Sequence, residues 1–317
     1  MQSPIVTKIL ERIGHPDLMR ILTEDLTGTE LNTILLDVFA YASSKLSPPE
    51  LLNRYQSNRF VKPSDLPALE LKRMELDVLK LFDRLNFKPI ELSPVSVLGS
   101  CSVVATADQD KVLTALRGTE VLADATNSIA LHICDLKQRN KDLLNQSEMI
   151  SFSTVQRHIR TQQIGIKGFT PHFKIGCLVT AGIDRGSYSF EKESLRQHII
   201  AMKELYLNYH KVDDIRFRFL CRKDDYDSSE RLAEQVKEFV VSKHADIVVD
   251  VIKPDKEIDY YKGIQYKVDI KVRGKTFEIA DGGFVDWTQQ LLQNKKERML
   301  STGIGFDFMY RILRGDL

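Results

Sequence analysis

The segment Ile258-Asp259-Tyr260-Tyr261-Lys262-Gly263, followed by Glu278-Ile279-Ala280-Asp281-Gly282-Gly283, carries the residue types of a small-ligand pocket. Adjacent tyrosines supply aromatic walls with polar tips, and glycines let a small polar ligand approach the backbone closely. Tyr260 and Tyr261 stand at the start of one expected strand, and Gly282 and Gly283 follow its return strand. The spacing therefore predicts a pocket built on an antiparallel hairpin.

Four more segments matter. Arg117-Gly118-Thr119-Glu120-Val121-Leu122-Ala123-Asp124-Ala125-Thr126 places an acid directly before an expected helix, where Asp124 can serve as its cap. Arg157-His158-Ile159-Arg160-Thr161-Gln162, then Gly168-Phe169-Thr170-Pro171-His172-Phe173, reads as a basic strand, a loop and a return strand opened by phenylalanine. Gly303 to Arg311 is glycine-rich and then apolar, and Leu66 to Pro94 is a long amphipathic helix followed by a proline-bounded strand. Taken with the tyrosine doublet, these segments resemble the catalytic core of class II aminoacyl-tRNA synthetases. The nearest likeness is to histidyl-tRNA synthetase and its paralogues, including the regulatory subunit of ATP phosphoribosyltransferase. It covers most of Leu66 to Leu313.

The resemblance implies roles. Asp124 and Thr126 take the places that receive a substrate α-amino group, which needs an anionic and a neutral acceptor. Tyr260, Tyr261, Gly282 and Gly283 shape the amino-acid pocket. Arg160 falls where an arginine meets the ATP α-phosphate, a task suited to a planar, always-charged guanidinium. His172 and Phe173 fall at the adenine, Arg311 at the γ-phosphate, and Lys256 where an arginine stabilises charge during activation. ATP and Mg2+ are the implied cofactors. Each residue also has a plainer reading: Asp124 as a helix cap, Arg157 and Arg160 as surface charges, Arg311 as a surface arginine on a buried helix.

The chain also departs from the pattern. The first motif's glycine is Asn86, glutamate gives way to Gln162, and Phe284 and Val285 follow the glycine pair where arginine and tyrosine are usual. Ile175 and Val179 stand near the places that read a histidine ring. No anticodon-binding domain is expected after the third motif, so a tRNA partner is not expected.

Apolar periodicity predicts helices over 5–22 and 31–42, with Pro48-Pro49 ending the pattern, and over 66–85 with Asp65 as N-cap. Further helices are expected over 125–137, 190–209, 228–243 and 284–293, and a brief one over 112–116. Strands are expected over 87–94, 150–163, 173–181, 215–220, 245–252, 264–272 and 275–280, and 303–313 as strand or helix. The fold class is α+β: a class II synthetase-like mixed, mainly antiparallel sheet flanked by helices. Residues 1–62 form a helical N-terminal segment and 63–317 the core.

Forty-five basic against 44 acidic side chains give a net charge of +1, without the basic excess of a nucleic-acid-binding surface. The four dispersed cysteines read as reduced structural thiols, and no run of 18 apolar residues occurs, so a cytoplasmic protein without a membrane partner is expected. Arginine kept at two separate ATP positions favours a freestanding enzyme that binds ATP and a small amino acid and forms an aminoacyl-adenylate for a non-tRNA acceptor. The alternative is a catalytically silent, amino-acid-sensing regulatory paralogue acting on a partner enzyme. A homodimer is implied in either case, and a scaffold without a ligand is a third reading.

Overall fold

The computed structural model of the chain describes residues 3–105, 107–140, 148–162, 170–223 and 228–317. The first expected helix breaks after α1 (Pro4–Arg12), where Gly14 takes φ 77°. Helices α2 (Gly28–Ser44) and α3 (Pro48–Ser57) each begin with a capping box, Thr27 with Glu30 and Ser47 with Glu50. Pro48 and Pro49 start a helix here instead of only ending one, because a missing N–H is harmless in a first turn. In these three helices only Leu10 is buried, so they stand at the surface, outside the core. Polar ties hold the segment there: Asn32 accepts the Arg117 N–H at 2.8 Å, and His172 Nε2 donates to the Lys62 carbonyl at 2.5 Å.

Helix α4 (Ala68–Arg84) buries Leu71, Val78, Leu81 and Phe82. Its N-cap is Pro67, not Asp65, whose carboxylate is taken by Arg311. After it, Asn86 adopts φ 66°, the left-handed backbone that a glycine would otherwise supply and that asparagine tolerates well. The expected edge strand follows as only two residues, β1 (Lys88–Pro89). Strands β2 (Val95–Val97) and β3 (Thr119–Val121) form a separate small sheet. The helix expected over 112–116 is absent. Ala115 N–H donates to the Thr119 carbonyl and Val121 N–H to the Leu113 carbonyl, folding a hairpin about Arg117 and Gly118, both at positive φ.

The remaining elements alternate as α5 (Ala125–Arg139), β4 (Ile150–Ile159), β5 (His172–Ile183), α6 (Ser189–Lys203), β6 (Asp214–Cys221), α7 (Ser229–Lys243) and β7 (Val249–Ile252). Then come β8 (Lys262–Val272), β9 (Lys275–Val285), α8 (Trp287–Leu292), β10 (Glu297–Gly305) and α9 (Phe306–Arg314). The loop expected between β4 and β5 lies partly outside the described residues, at 163–169.

Eight strands form one sheet in the order β1-β4-β5-β10-β9-β8-β6-β7, antiparallel except for the two outermost pairs. One face packs on α6 and α7 through Leu178, Phe217, Tyr266, Val268, Leu195 and Val236. The other carries α5 and α8 over Phe152, Val179, Ala181 and Met299. Side chains alternate between the faces, so Leu178 serves one and Cys177 and Val179 the other. Beside α5 this second face is open, and there it becomes the floor of a cavity.

Candidate functional site

A cavity of about 690 Å³ lies on that second face, within the usual range for small-molecule sites. Its walls include Asp124, Thr126, Arg160, Phe173, Tyr260, Tyr261 and Arg311. Residues as far apart in the chain as Asp65 and Arg311 therefore share one space.

Asp124 sits at the N-terminus of α5, and its position there follows from capping. Its Oδ1 accepts the Thr126 N–H at 2.9 Å and the Thr126 hydroxyl at 2.7 Å. Its Oδ2 accepts the Tyr260 hydroxyl at 2.7 Å, 136 residues away. The cap and the cavity wall are thus one residue. Burial pushes the Asp124 carboxyl up, but the Arg160 guanidinium and the hydrogen bonds from Thr126 and Tyr260 together hold it below its ordinary value. It is an anion at neutral pH.

His158 backs this arrangement: its Nε2 accepts the Ala125 N–H at 2.8 Å, capping the same helix end from β4. An accepting nitrogen requires a neutral ring, and burial pushes the His158 pKa down to about 4. Its ring lies over Phe173 at 6.3 Å, and Phe173 meets the Arg160 guanidinium at 5.7 Å on its way to the cavity. Arg160 also donates from Nε to the Ala123 carbonyl at 3.1 Å, which fixes its head beside Asp124.

Tyr260 stands edge-on to Tyr261 at 4.7 Å and to Trp287 at 5.4 Å. Gly263, closing the Tyr-Tyr-Lys-Gly run, takes φ 63° at an irregularity in the β8–β9 pairing, which leads the doublet onto the sheet.

The structure does not bring every expected residue to the cavity. Gly282 and Gly283 are not in its walls. A Cβ at Gly282 would meet Tyr266 and the Ser301 carbonyl at 2.6 Å, and one at Gly283 would meet the Tyr261 ring at 2.6 Å. They make room for protein tyrosines, not for a ligand. The glycines on the floor are Gly303 and Gly305 of β10. Lys256 is exposed and outside the cavity; its carbonyl accepts from Arg222 at 2.5 Å. His172 is buried between Lys62 and Arg157, which donates to its Nδ1 at 2.9 Å, and it too does not line the cavity.

Three residues missed as site candidates belong here. Glu120 accepts from the Gly99 N–H at 2.9 Å, the Cys101 N–H at 3.1 Å and Gln109 at 3.0 Å, so it organises the loop that forms one wall. Asp281 and Glu278 both reach the cavity because β9 carries a bulge between them: Ala280 pairs with Val268 and Glu278 with Asp269. Only the acid beside the glycine pair was a readable signal for Asp281.

Cofactor fit is uneven. Phe173 and Arg160 offer a ring face and a guanidinium on one wall, which suits an adenine and a phosphate. Arg311 is engaged by Asp65. Among the described residues no group of three or more His, Cys, Asp or Glu is placed to hold a metal ion. Glu278 is taken by Lys267 at 2.8 Å and Arg218 at 2.9 Å. Among the described residues, then, the side chains do not by themselves form a metal-holding cluster. Cys101 and Cys177 line the cavity as free thiols; burial pushes Cys101 up to about 12 and Cys177 upward as well, so neither is a ready nucleophile.

The sheet and its helices have the class II synthetase-like fold, as expected from the sequence. The chain is similar to apo S. aureus histidyl-tRNA synthetase, with a TM-score of 0.60 and 14% identity over 80% of this chain and 69% of that one. It is equally similar to an ATP phosphoribosyltransferase regulatory subunit/histidyl-tRNA synthetase from Bacillus halodurans C, at TM-score 0.60 and 13% identity over 81% and 83%. A pyrrolysyl-tRNA synthetase from Desulfitobacterium hafniense matches at 0.51 and 12% over 84% and 75%. No family model and no curated protein matches the sequence. Among the described residues no helix is long and apolar enough to cross a membrane.

Proposed function

We propose that this protein binds a free amino acid in the cavity and acts as an amino-acid-sensing regulatory protein for a partner enzyme. The observation that carries this reading is Asp124, an anion bonded to Thr126 and Tyr260 with the Arg160 guanidinium beside it. An acid next to a fixed cation matches a zwitterion: the ammonium exchanges for one of the two hydroxyls on Asp124, and the carboxylate faces Arg160.

The adenylating reading expected from the sequence is supported by Phe173 and Arg160 on the nucleotide side. ATP, when bound, would supply the activating phosphoryl group, with Phe173 against its base and Arg160 on a phosphate. Against it stand Lys256, outside the cavity, and Arg311, held by Asp65. These two positions move the balance from catalysis to binding. A homodimer fits both readings, because α4 leaves Leu69 and Leu76 exposed at 75% and 53%.

Calorimetry with each standard amino acid, with and without ATP, separates the readings. Binding without ATP, and no amino-acid-dependent exchange of pyrophosphate into ATP, is the expected result. Exchange activity would establish the adenylating reading, and no binding under either condition would end both.

A further inference from the structure

The cavity has a second polar anchor that the zwitterion does not use. Asp281 lies in its wall and forms no ion pair among the described residues. It is nevertheless rigidly held. Gln265 Nε2 donates to Asp281 Oδ1 at 2.7 Å, and Gln265 Oε1 accepts from Arg222 Nε at 2.9 Å and Nη2 at 2.5 Å. An amide that accepts from arginine must turn its NH2 the other way, so the orientation of Gln265 is forced. Arg222 is in turn fixed by the Lys256 carbonyl at 2.5 Å, and Arg222 and Gln265 are 5% and 3% exposed. A buried relay of this kind positions a carboxylate without neutralising it directly.

The sheet register leaves space beside this acid. Gly303 of β10 pairs with Asp281 on one side and with Cys177 of β5 on the other, so the three share a row on one face. The middle position has no side chain. With strands ~4.8 Å apart, the row forms a slot roughly 10 Å across, bounded by a thiol and a carboxylate. Ile175 adds apolar wall next to it, 3.7 Å from where a Cβ at position 303 would stand, and suits a methylene stem. Tyr261 lines the same cavity as both acids, Asp281 and Asp124.

We propose that Asp281 reads the side chain of the bound amino acid and selects one that ends in a hydrogen-bond-donating cation. The stem lies over Gly303, and the cationic head meets the carboxylate that Gln265 and Arg222 hold in place. A desolvated carboxylate without a paired cation disfavours an apolar side chain and favours a charged donor. Glycine at position 303 is what admits a long stem.

This inference rests on the amino-acid-binding reading, and its test keeps the two apart. Lysine, ornithine, arginine and histidine are titrated calorimetrically against leucine and norleucine, using the full chain. The wild type is expected to prefer at least one cationic amino acid over norleucine by about tenfold or more. Asp281→Asn is expected to bring that amino acid to the affinity of norleucine in the same variant. Gly303→Val, whose Cβ would meet nothing nearer than Ile175 at 3.7 Å, is expected to weaken cationic ligands with no loss of fold by thermal melting. Norleucine binding as tightly as every cationic amino acid, or a preference that survives Asp281→Asn, overturns the inference and leaves the amino-acid reading intact. If no amino acid binds at all, both fall.

Discussion

Arg311 Nη2 lies 2.6 and 2.7 Å from the two carboxylate oxygens of Asp65, joining α9 to the segment just before α4 across 246 residues. The contact places a protein carboxylate on the arginine that the synthetase likeness would give to a phosphate.

Asp65→Asn should therefore free Arg311 for a nucleotide. Asp65 is 58% exposed, so stability is expected to change by no more than about 1 kcal/mol. ATP binding, followed by calorimetry, is expected to tighten severalfold. Unchanged or weaker binding would show that Arg311 has no part in holding phosphate.

Asp124 combines a cap and an anion, and two substitutions separate these roles. Asparagine caps a helix about as well as aspartate, whereas alanine costs about 1 kcal/mol. Asp124→Asn should melt near the wild type yet bind amino acids about 10- to 100-fold more weakly. Asp124→Ala should lose both. Wild-type affinity in Asp124→Asn would remove the ammonium from this site.

Acid should destabilise the fold through its buried histidines. Burial pushes His158 and His210 down to about 4 and His198 to about 3, against about 6.5 in the unfolded chain. The unfolded state gains these protons first, so stability present above pH ~6.5 is lost as pH falls toward about 4. Asp281 works the other way: burial raises it to about 6, so the folded state gains one proton over the lower part of that window. Each histidine proton is worth about 1.4 kcal/mol per pH unit, and Glu297 and Asp307, also raised by burial, join Asp281 in offsetting part of the loss. Urea unfolding at neutral and mildly acid pH measures this loss, and His198→Gln should lower the slope by about one proton. A flat profile would contradict the buried neutral rings.

Lys137 and Glu297 pair at 2.5 Å with side chains 2% and 0% exposed, pinning the C-terminal turn of α5 to β10. Lys137→Met leaves a buried carboxylate alone and is expected to cost about 3–5 kcal/mol. Replacing both with apolar residues of similar volume should recover most of that loss. Denaturant titration of single and double variants decides it; a double variant no better than the single would mean that the pair is not the source of the cost.

Much of the site was legible because its local signals were strong. An acid before a helical run pointed to Asp124, and the closely spaced strands expected over 264–272 and 275–280 pointed to the hairpin. Pairings across the sequence were not legible. Capping chemistry suggested that Asp65 would start α4, yet a more distant arginine takes its carboxylate. The spacing at Lys256 matched a charged position, but no spacing shows that its side chain stays outside the cavity. Gly282 and Gly283 are places of close approach, and what approaches in the structure is Tyr266 and Tyr261, which only the folded sheet brings against them. Val112 to Leu116 had helical composition, but its backbone bonds go to β3.

Trp287 is the single tryptophan of the chain, fully buried at the start of α8 with its ring edge against Tyr260. The indole is thus one side chain removed from the hydroxyl on Asp124. Any molecule that displaces that hydroxyl shifts Tyr260 and with it the surroundings of the indole. The protein has its own optical reporter: unlabelled emission spectra, taken during titration, follow occupancy directly.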